Sequence, residues 1–118
     1  MLASAVEHPS VRASPGVTLV PVDRNGIVDL TALDHMLATG DDGPVLVSLM
    51  LVNNETGVIQ PVAEAARIAH ERGALFQCDA AQAPGRIAAD ARALGGDRRT
   101  LSAHKIGGPQ GAGAIVRA

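Results

Sequence analysis

Pro44-Val45-Leu46-Val47-Ser48-Leu49-Met50-Leu51-Val52 runs directly into Asn53-Asn54-Glu55-Thr56-Gly57. The first part is apolar almost without interruption, and a strand reads this way when both faces of a parallel sheet are covered. The second part is polar and lies at the strand's C-terminal end, where open α/β sheets place their ligands. Downstream, Pro61 opens a helix whose apolar side is Val62, Ala65, Ala66, Ile68 and Ala69, and Arg72-Gly73 ends it. Upstream, Leu30, Leu33, Met36 and Leu37 recur at helical spacing, with Asp29 or Thr31 as N-cap and Gly40 as the stop. Strand and helix therefore alternate around a central strand. This predicts an α/β fold, a mostly parallel sheet flanked by helices in three layers.

Further strands follow from the same reasoning. Ala74-Leu75-Phe76-Gln77-Cys78-Asp79 is a short apolar run that ends in an acid, with Gln82 three residues on. Thr100-Leu101-Ser102-Ala103-His104-Lys105 delivers a hydroxyl, an imidazole and an amine before Gly107-Gly108, where missing side chains allow close approach. If this strand continues past Ser102, Ser102 and His104 share a face. Thr18-Leu19-Val20-Pro21-Val22 is β-rich, its proline points to an edge position, and Asp23-Arg24-Asn25-Gly26 is turn chemistry. Ala112 to Val116 reads as a last strand, and Arg86 to Leu94 as a connection with one short helix. Residues 1–16 show no opening strand, so the start reads as a cut edge. The whole reads as one partial domain over residues 1–118.

Composition narrows the class of function. In 118 residues, 47% are hydrophobic and 10 Lys+Arg face 12 Asp+Glu, so no basic footprint points to nucleic acid or to an anionic membrane. Phe76 is the single aromatic residue, which leaves no stacking platform for bases. One cysteine, Cys78, excludes an intrachain disulfide and fits a reducing, cytoplasmic setting. No apolar stretch of membrane-spanning length and no basic leader are present. The late glycines have neither the dinucleotide nor the P-loop spacing, and His70-Glu71 lacks the second histidine of a zinc protease.

Individual side chains stay open to two readings. Lys105 is either a solvated surface amine or a nucleophile able to form a Schiff base with a carbonyl. Asp79 is either a turn former or the acid that keeps a pyridine nitrogen protonated. By local sequence alone His8 is a helix-entry or surface histidine before Pro9, and Asn54 an ordinary turn asparagine.

Taken in order, Glu7-His8-Pro9-Ser10-Val11, Val52-Asn53-Asn54-Glu55-Thr56-Gly57, Cys78-Asp79-Ala80-Ala81-Gln82 and Leu101-Ser102-Ala103-His104-Lys105 resemble the cysteine desulfurase branch of the class V aminotransferases. The likeness covers nearly the whole chain and implies the central part of a large domain that binds pyridoxal 5'-phosphate, with the small C-terminal domain absent. By resemblance, Lys105 is the Schiff-base lysine and His8 the ring-stacking proton-transfer residue. Asp79 faces the pyridine nitrogen, Asn54 and Gln82 the phenolic oxygen, and Ser102 and His104 the phosphate. The implied activity converts L-cysteine to L-alanine, with sulfur passed to an acceptor protein in a complete homodimeric enzyme. The 118 residues alone are expected to be inactive as a desulfurase. A selenocysteine lyase, an aminotransferase or a non-catalytic remnant are the alternatives.

The chain departs from the pattern of the family it resembles in two ways. The helix expected after the His8 motif is cut short by Pro15-Gly16, and Arg98-Arg99 stand where the family has apolar residues at the start of a buried strand. Either that strand starts later or local packing is damaged, because an unpaired buried guanidinium is costly. Cys78 is read as a core thiol, since the sulfur-accepting cysteine of the resembling enzymes lies on a loop beyond the lysine.

Overall fold

The apolar run around Leu49 forms an inner strand. In the computed structural model, which describes residues 1–40, 42–87, 90 and 92–117, the elements in chain order are β1 (Leu2–Ser4), α1 (Pro9–Arg12), β2 (Thr18–Val20), α2 (Leu30–Thr39), β3 (Leu46–Met50), α3 (Val62–Glu71), β4 (Leu75–Asp79), β5 (Arg98–Ser102), a 3₁₀ turn (Ala103–Ile106) and β6 (Gly113–Arg117). The strands form one sheet in the order β2-β1-β3-β4-β5-β6. All neighbours run parallel except β5 and β6. The mostly parallel sheet flanked by helices is the fold that the strand–helix alternation predicts.

Register decides which side chains share a face. Val47 pairs with Phe76, and Leu49 with Cys78, which in turn pairs with Arg99. Val47, Leu49, Phe76 and Cys78 are all buried, under Val62, Ala65, Ala66 and Ala69 of α3 and Leu33 of α2. The alanines keep α3 close to the sheet, so the single phenylalanine fills the space beneath it. Asp29 caps α2 by accepting from the Ala32 amide at 2.9 Å, which settles the choice between Asp29 and Thr31. On the opposite face Leu19, Leu75 and Ile115 are exposed. The two ten-residue helices thus lie together on one side of the described sheet, so they supply one helical layer and not the two that the expected three-layer arrangement needs.

Two expectations change. The opening residues do contain a strand: β1 pairs in parallel with β2 on one side and β3 on the other. Three residues are too few to show a period, and what makes them a strand is their pairing with partners distant in sequence. The edge position read from Pro21 does hold for β2, the outermost strand, which Pro21 directly follows. Second, β5 stops at Ser102, and the following residues tighten into the 3₁₀ turn. Gly107 ends that turn at φ +81°, and a side chain on Gly108 would press within 2.9 Å of the Ala103 Cβ. The glycine pair therefore serves the chain's own fold-back onto Ala103, whose carbonyl accepts from the Gly108 amide at 2.8 Å. The short helix expected between Arg86 and Leu94 falls in part on residues 88, 89 and 91, which lie outside the described residues.

The strand carrying Arg98-Arg99 does not start late. Arg98 is exposed, but Arg99 is only 6% exposed, against Cys78 of β4. Its Nη2 donates to the Gly96 carbonyl at 3.3 Å, while Nε is enclosed with no acceptor among the described residues. Arg99→Leu is expected to stabilise the chain by about 1–3 kcal/mol, because it removes an unsatisfied buried cation. A urea titration would read this as a higher midpoint at unchanged slope. Arg98→Leu, at an exposed position, should move stability by no more than about 0.5 kcal/mol. A lower midpoint for Arg99→Leu would refute the assignment.

Candidate active site

Parallel strands deliver the residues at their C-terminal ends to the same edge of a sheet. His8 follows β1, Asn54 follows β3, Asp79 ends β4 with Gln82 just beyond, and Ser102 ends β5 with His104 and Lys105 in the 3₁₀ turn. All seven line one cleft of about 290 Å³, together with Ser10, Met50, Val52 and Ala81. This volume sits near the lower end for small-molecule sites, roughly 300 Å³ and upward. Lys105 and Asp79 face the same space.

Asp79 is held by one oxygen. Thr100, in register with it on β5, donates its hydroxyl to Oδ1 at 3.1 Å, and the Ala81 amide donates to the same oxygen at 3.0 Å. Oδ2 has no hydrogen-bond partner among the described residues. The carboxylate is thus fixed in direction, with one oxygen left over for a ligand donor.

His8 caps α1. Its Nδ1 accepts from the Ser10 amide at 3.2 Å and lies 2.8 Å from Ser10 Oγ. A nitrogen that accepts from a backbone N–H carries no proton, so in this geometry the ring proton sits on Nε2. Ser102 Oγ and His104 Nδ1 lie 2.8 Å apart, which couples a hydroxyl to an imidazole in one corner. The expected common strand face does not exist, yet the 3₁₀ turn brings the two side chains together. Lys105 is the chain's only lysine, and its amine has no partner among the described residues.

Two neighbours of the cleft gave little sign of themselves in sequence. Glu7 is 2% exposed. Its Oε1 accepts from Ser4 Oγ at 3.0 Å and from the Met50 amide at 2.7 Å, while Oε2 is enclosed without a partner. Burial pushes this carboxyl up to about 7, and the charge of Asp79 adds to the rise, against the two hydrogen bonds that lower it. Asn53 is buried beside it, donating to the Val6 carbonyl at 2.9 Å and to Met50 Sδ at 3.3 Å. Asn53 Oδ1 accepts from the Glu55 and Thr56 amides, both at 2.9 Å, which shapes the loop that presents Asn54. Glu7 and Asn53 together tie the turn after β1 to the end of β3. That is the place where the chain crosses from one half of the sheet to the other.

Cys78 lies outside the cleft. Strand alternation turns it to the face opposite Asp79, it is fully buried, and burial pushes its thiol up to about 12. Such a thiol is inert at neutral pH. His70 and Glu71 are on the surface, where His70 Nε2 meets Asp97 Oδ2 at 2.9 Å. No group of three or more metal-ligating side chains occurs among the described residues, and no described helix is long and apolar enough to cross a membrane.

Comparison with known proteins adds to this geometry. The sequence matches the profile of the family described as Aminotransferase class-V over residues 3–117. Cysteine desulfurase IscS of Ehrlichia chaffeensis (strain ATCC CRL-10679 / Arkansas) is 46% identical over 99 residues, which are 84% of this chain and 23% of that protein. A NifS-like protein from Rickettsia africae ESF-5, solved by X-ray crystallography, superposes with a TM-score of 0.91 at 39% identity, covering 98% of this chain and 33% of its own. SspA in complex with cysteine superposes at 0.82 with 29% identity, over 97% of this chain and 34% of its own. The chain spans about a quarter to a third of the length of these relatives.

Proposed function

The chain belongs to the class V aminotransferase family, and from that premise we propose that it is the cofactor-binding section of a pyridoxal-phosphate-dependent cysteine desulfurase. The observation that carries the reading is the meeting of Lys105 and Asp79 in one cleft at the carboxyl ends of the strands. The donor set fits the cofactor: an amine without a partner, a carboxylate with one free oxygen, and a hydroxyl–imidazole pair. Ser102 and His104 would hold the phosphate, Asp79 the pyridine nitrogen, Asn54 and Gln82 the phenolic oxygen, and His8 the face of the ring. When bound, pyridoxal phosphate supplies an electron-withdrawing ring that stabilises negative charge at the substrate carbon.

The chain's own groups divide the work by what each can hold. Thr100 and the Ala81 amide fix Asp79 Oδ1, so Oδ2 is aimed without freedom to turn away. Lys105 Nζ anchors the cofactor and moves protons at the substrate carbon. His8, its Nδ1 held by the Ser10 amide, is fixed at the start of α1 beside the cleft. L-cysteine is the proposed substrate, since the structure of the relative SspA holds cysteine. L-alanine is the proposed product, and a sulfur-acceptor protein and a second copy of the complete enzyme are the proposed partners. Cys78 does not take the sulfur, being buried on the opposite face.

The test is attachment of pyridoxal phosphate by borohydride reduction, followed by peptide mapping, over a range of cofactor concentrations. Attachment at Lys105 should saturate, and Asp79→Ala should raise the half-saturating concentration by about tenfold or more, as loss of a charge-assisted contact does. Attachment that rises linearly and equally in both proteins would mark Lys105 as an ordinary surface amine and end the reading.

A further inference from the structure

Gln82 stands on a wall shared by two spaces. On one side is the cleft with Lys105 and Asp79, and on the other is a groove lined by the Asn53–Gly57 loop and Arg86. Arg86, four residues on, donates from Nη1 to Gln82 Oε1 at 2.7 Å. Its Nη2 reaches the main-chain carbonyl of Lys105 at 3.5 Å. A guanidinium has donors only, so the atom it meets on Gln82 must be the carbonyl oxygen, and the amide NH₂ is left for the other side. Arg86 itself does not line the cleft.

We propose that Arg86 is a positioning residue and specificity determinant: by occupying Gln82 Oε1 from the neighbouring groove, it makes Gln82 present a hydrogen-bond donor to the cleft, which selects a ligand ring bearing an anionic oxygen. This rests on the cofactor reading above and extends it. Without the guanidinium, Gln82 can turn either its carbonyl or its NH₂ inward, and an inward carbonyl would repel an anionic oxygen. The contact to the Lys105 carbonyl ties the same device to the turn that carries the amine.

Two experiments on the full chain decide it. In the cofactor-free protein, side-chain ¹⁵N relaxation should show the Gln82 NH₂ more ordered than that of exposed Gln110. Arg86→Met should bring Gln82 down to the level of Gln110, and Arg86→Lys should restore part of the order. In the second experiment, binding of pyridoxine 5'-phosphate is compared with its analogue lacking the 3-hydroxyl; neither bears a carbonyl, so both read the cleft without the amine's chemistry. The wild type should prefer the hydroxylated ring by roughly tenfold, Arg86→Met should lose most of that preference, and Arg86→Lys should keep part of it. A preference unchanged in Arg86→Met, or Gln82 order unchanged in that variant, overturns the proposal. Failure of the wild type to bind either compound counts against the cofactor reading, and the relaxation measurement then decides the role of Arg86 alone.

Discussion

Lys105→Ala should abolish side-chain attachment of pyridoxal phosphate, leaving after borohydride reduction only the trace carried by the amino terminus. The effect is all-or-none because Lys105 is the chain's single lysine, and the only other amine, on Met1, donates to the Gly16 carbonyl at 3.1 Å, on the loop before β2. Lys105→Arg should behave like the alanine variant, since a guanidinium keeps its proton and does not attack a carbonyl at neutral pH. Both variants should still bind pyridoxine 5'-phosphate to within a few-fold of the wild type, because Asp79, Ser102 and His104 are untouched. That second measurement separates loss of the nucleophile from loss of the cleft. If neither variant bound the carbonyl-free ring, the amine would be acting as a structural cation in the cleft and the division of roles would be wrong.

The reach of the sequence differs between the fold and the details of the site. The inner strand at Val47 to Met50 and the helix under Ala65 and Ala69 were legible because burial on both faces, or on one side of a helix, writes a pattern into consecutive residues. That Asn54, Asp79 and Lys105 would share a rim was legible for a topological reason, as parallel strands deliver their C-terminal residues to one edge, whereas His8 was placed by resemblance alone because the strand before it was not read. What could not be read depends on register or on distant pairing. Thr100 holds Asp79 only because β4 and β5 align those two residues, and no local pattern fixes that alignment. β1 is a strand through its neighbours, and nothing local marks Glu7 as buried, since the turn after β1 is what folds it inward onto the Met50 amide. Arg99 was flagged as a misfit by residue type, but its burial had to be seen.

Glu7 should make the stability of the chain fall as pH rises from about 4.5 to about 7, by up to about 3 kcal/mol. The sign follows from proton binding. In the unfolded chain this carboxyl has its ordinary value of 4.5, and in the folded chain burial raises it to about 7. Between these limits the folded state binds more protons than the unfolded one, so raising the pH favours unfolding. Below 4.5 both states are protonated and the contribution is complete; above about 7 both are ionised and it is lost. The buried charge is then opposed by the nearby charge of Asp79 and compensated only by Ser4 Oγ and the Met50 amide, with Oε2 left bare. Glu7→Gln keeps an oxygen for those two donors and removes the charge, so it should be more stable than the wild type at pH 8 by about 2–3 kcal/mol and close to it at pH 4.5. Urea midpoints of both proteins across this range give the difference curve, in which histidines and other shared groups cancel. A difference curve that stays flat, or that favours the wild type with rising pH, would mean that the carboxyl ionises freely in the folded chain and that its burial beside Met50 is wrong. The Glu7→Ala variant adds the converse result: with both acceptor contacts removed, the turn bearing His8 loses its tie to the end of β3, and the chain should be destabilised at every pH.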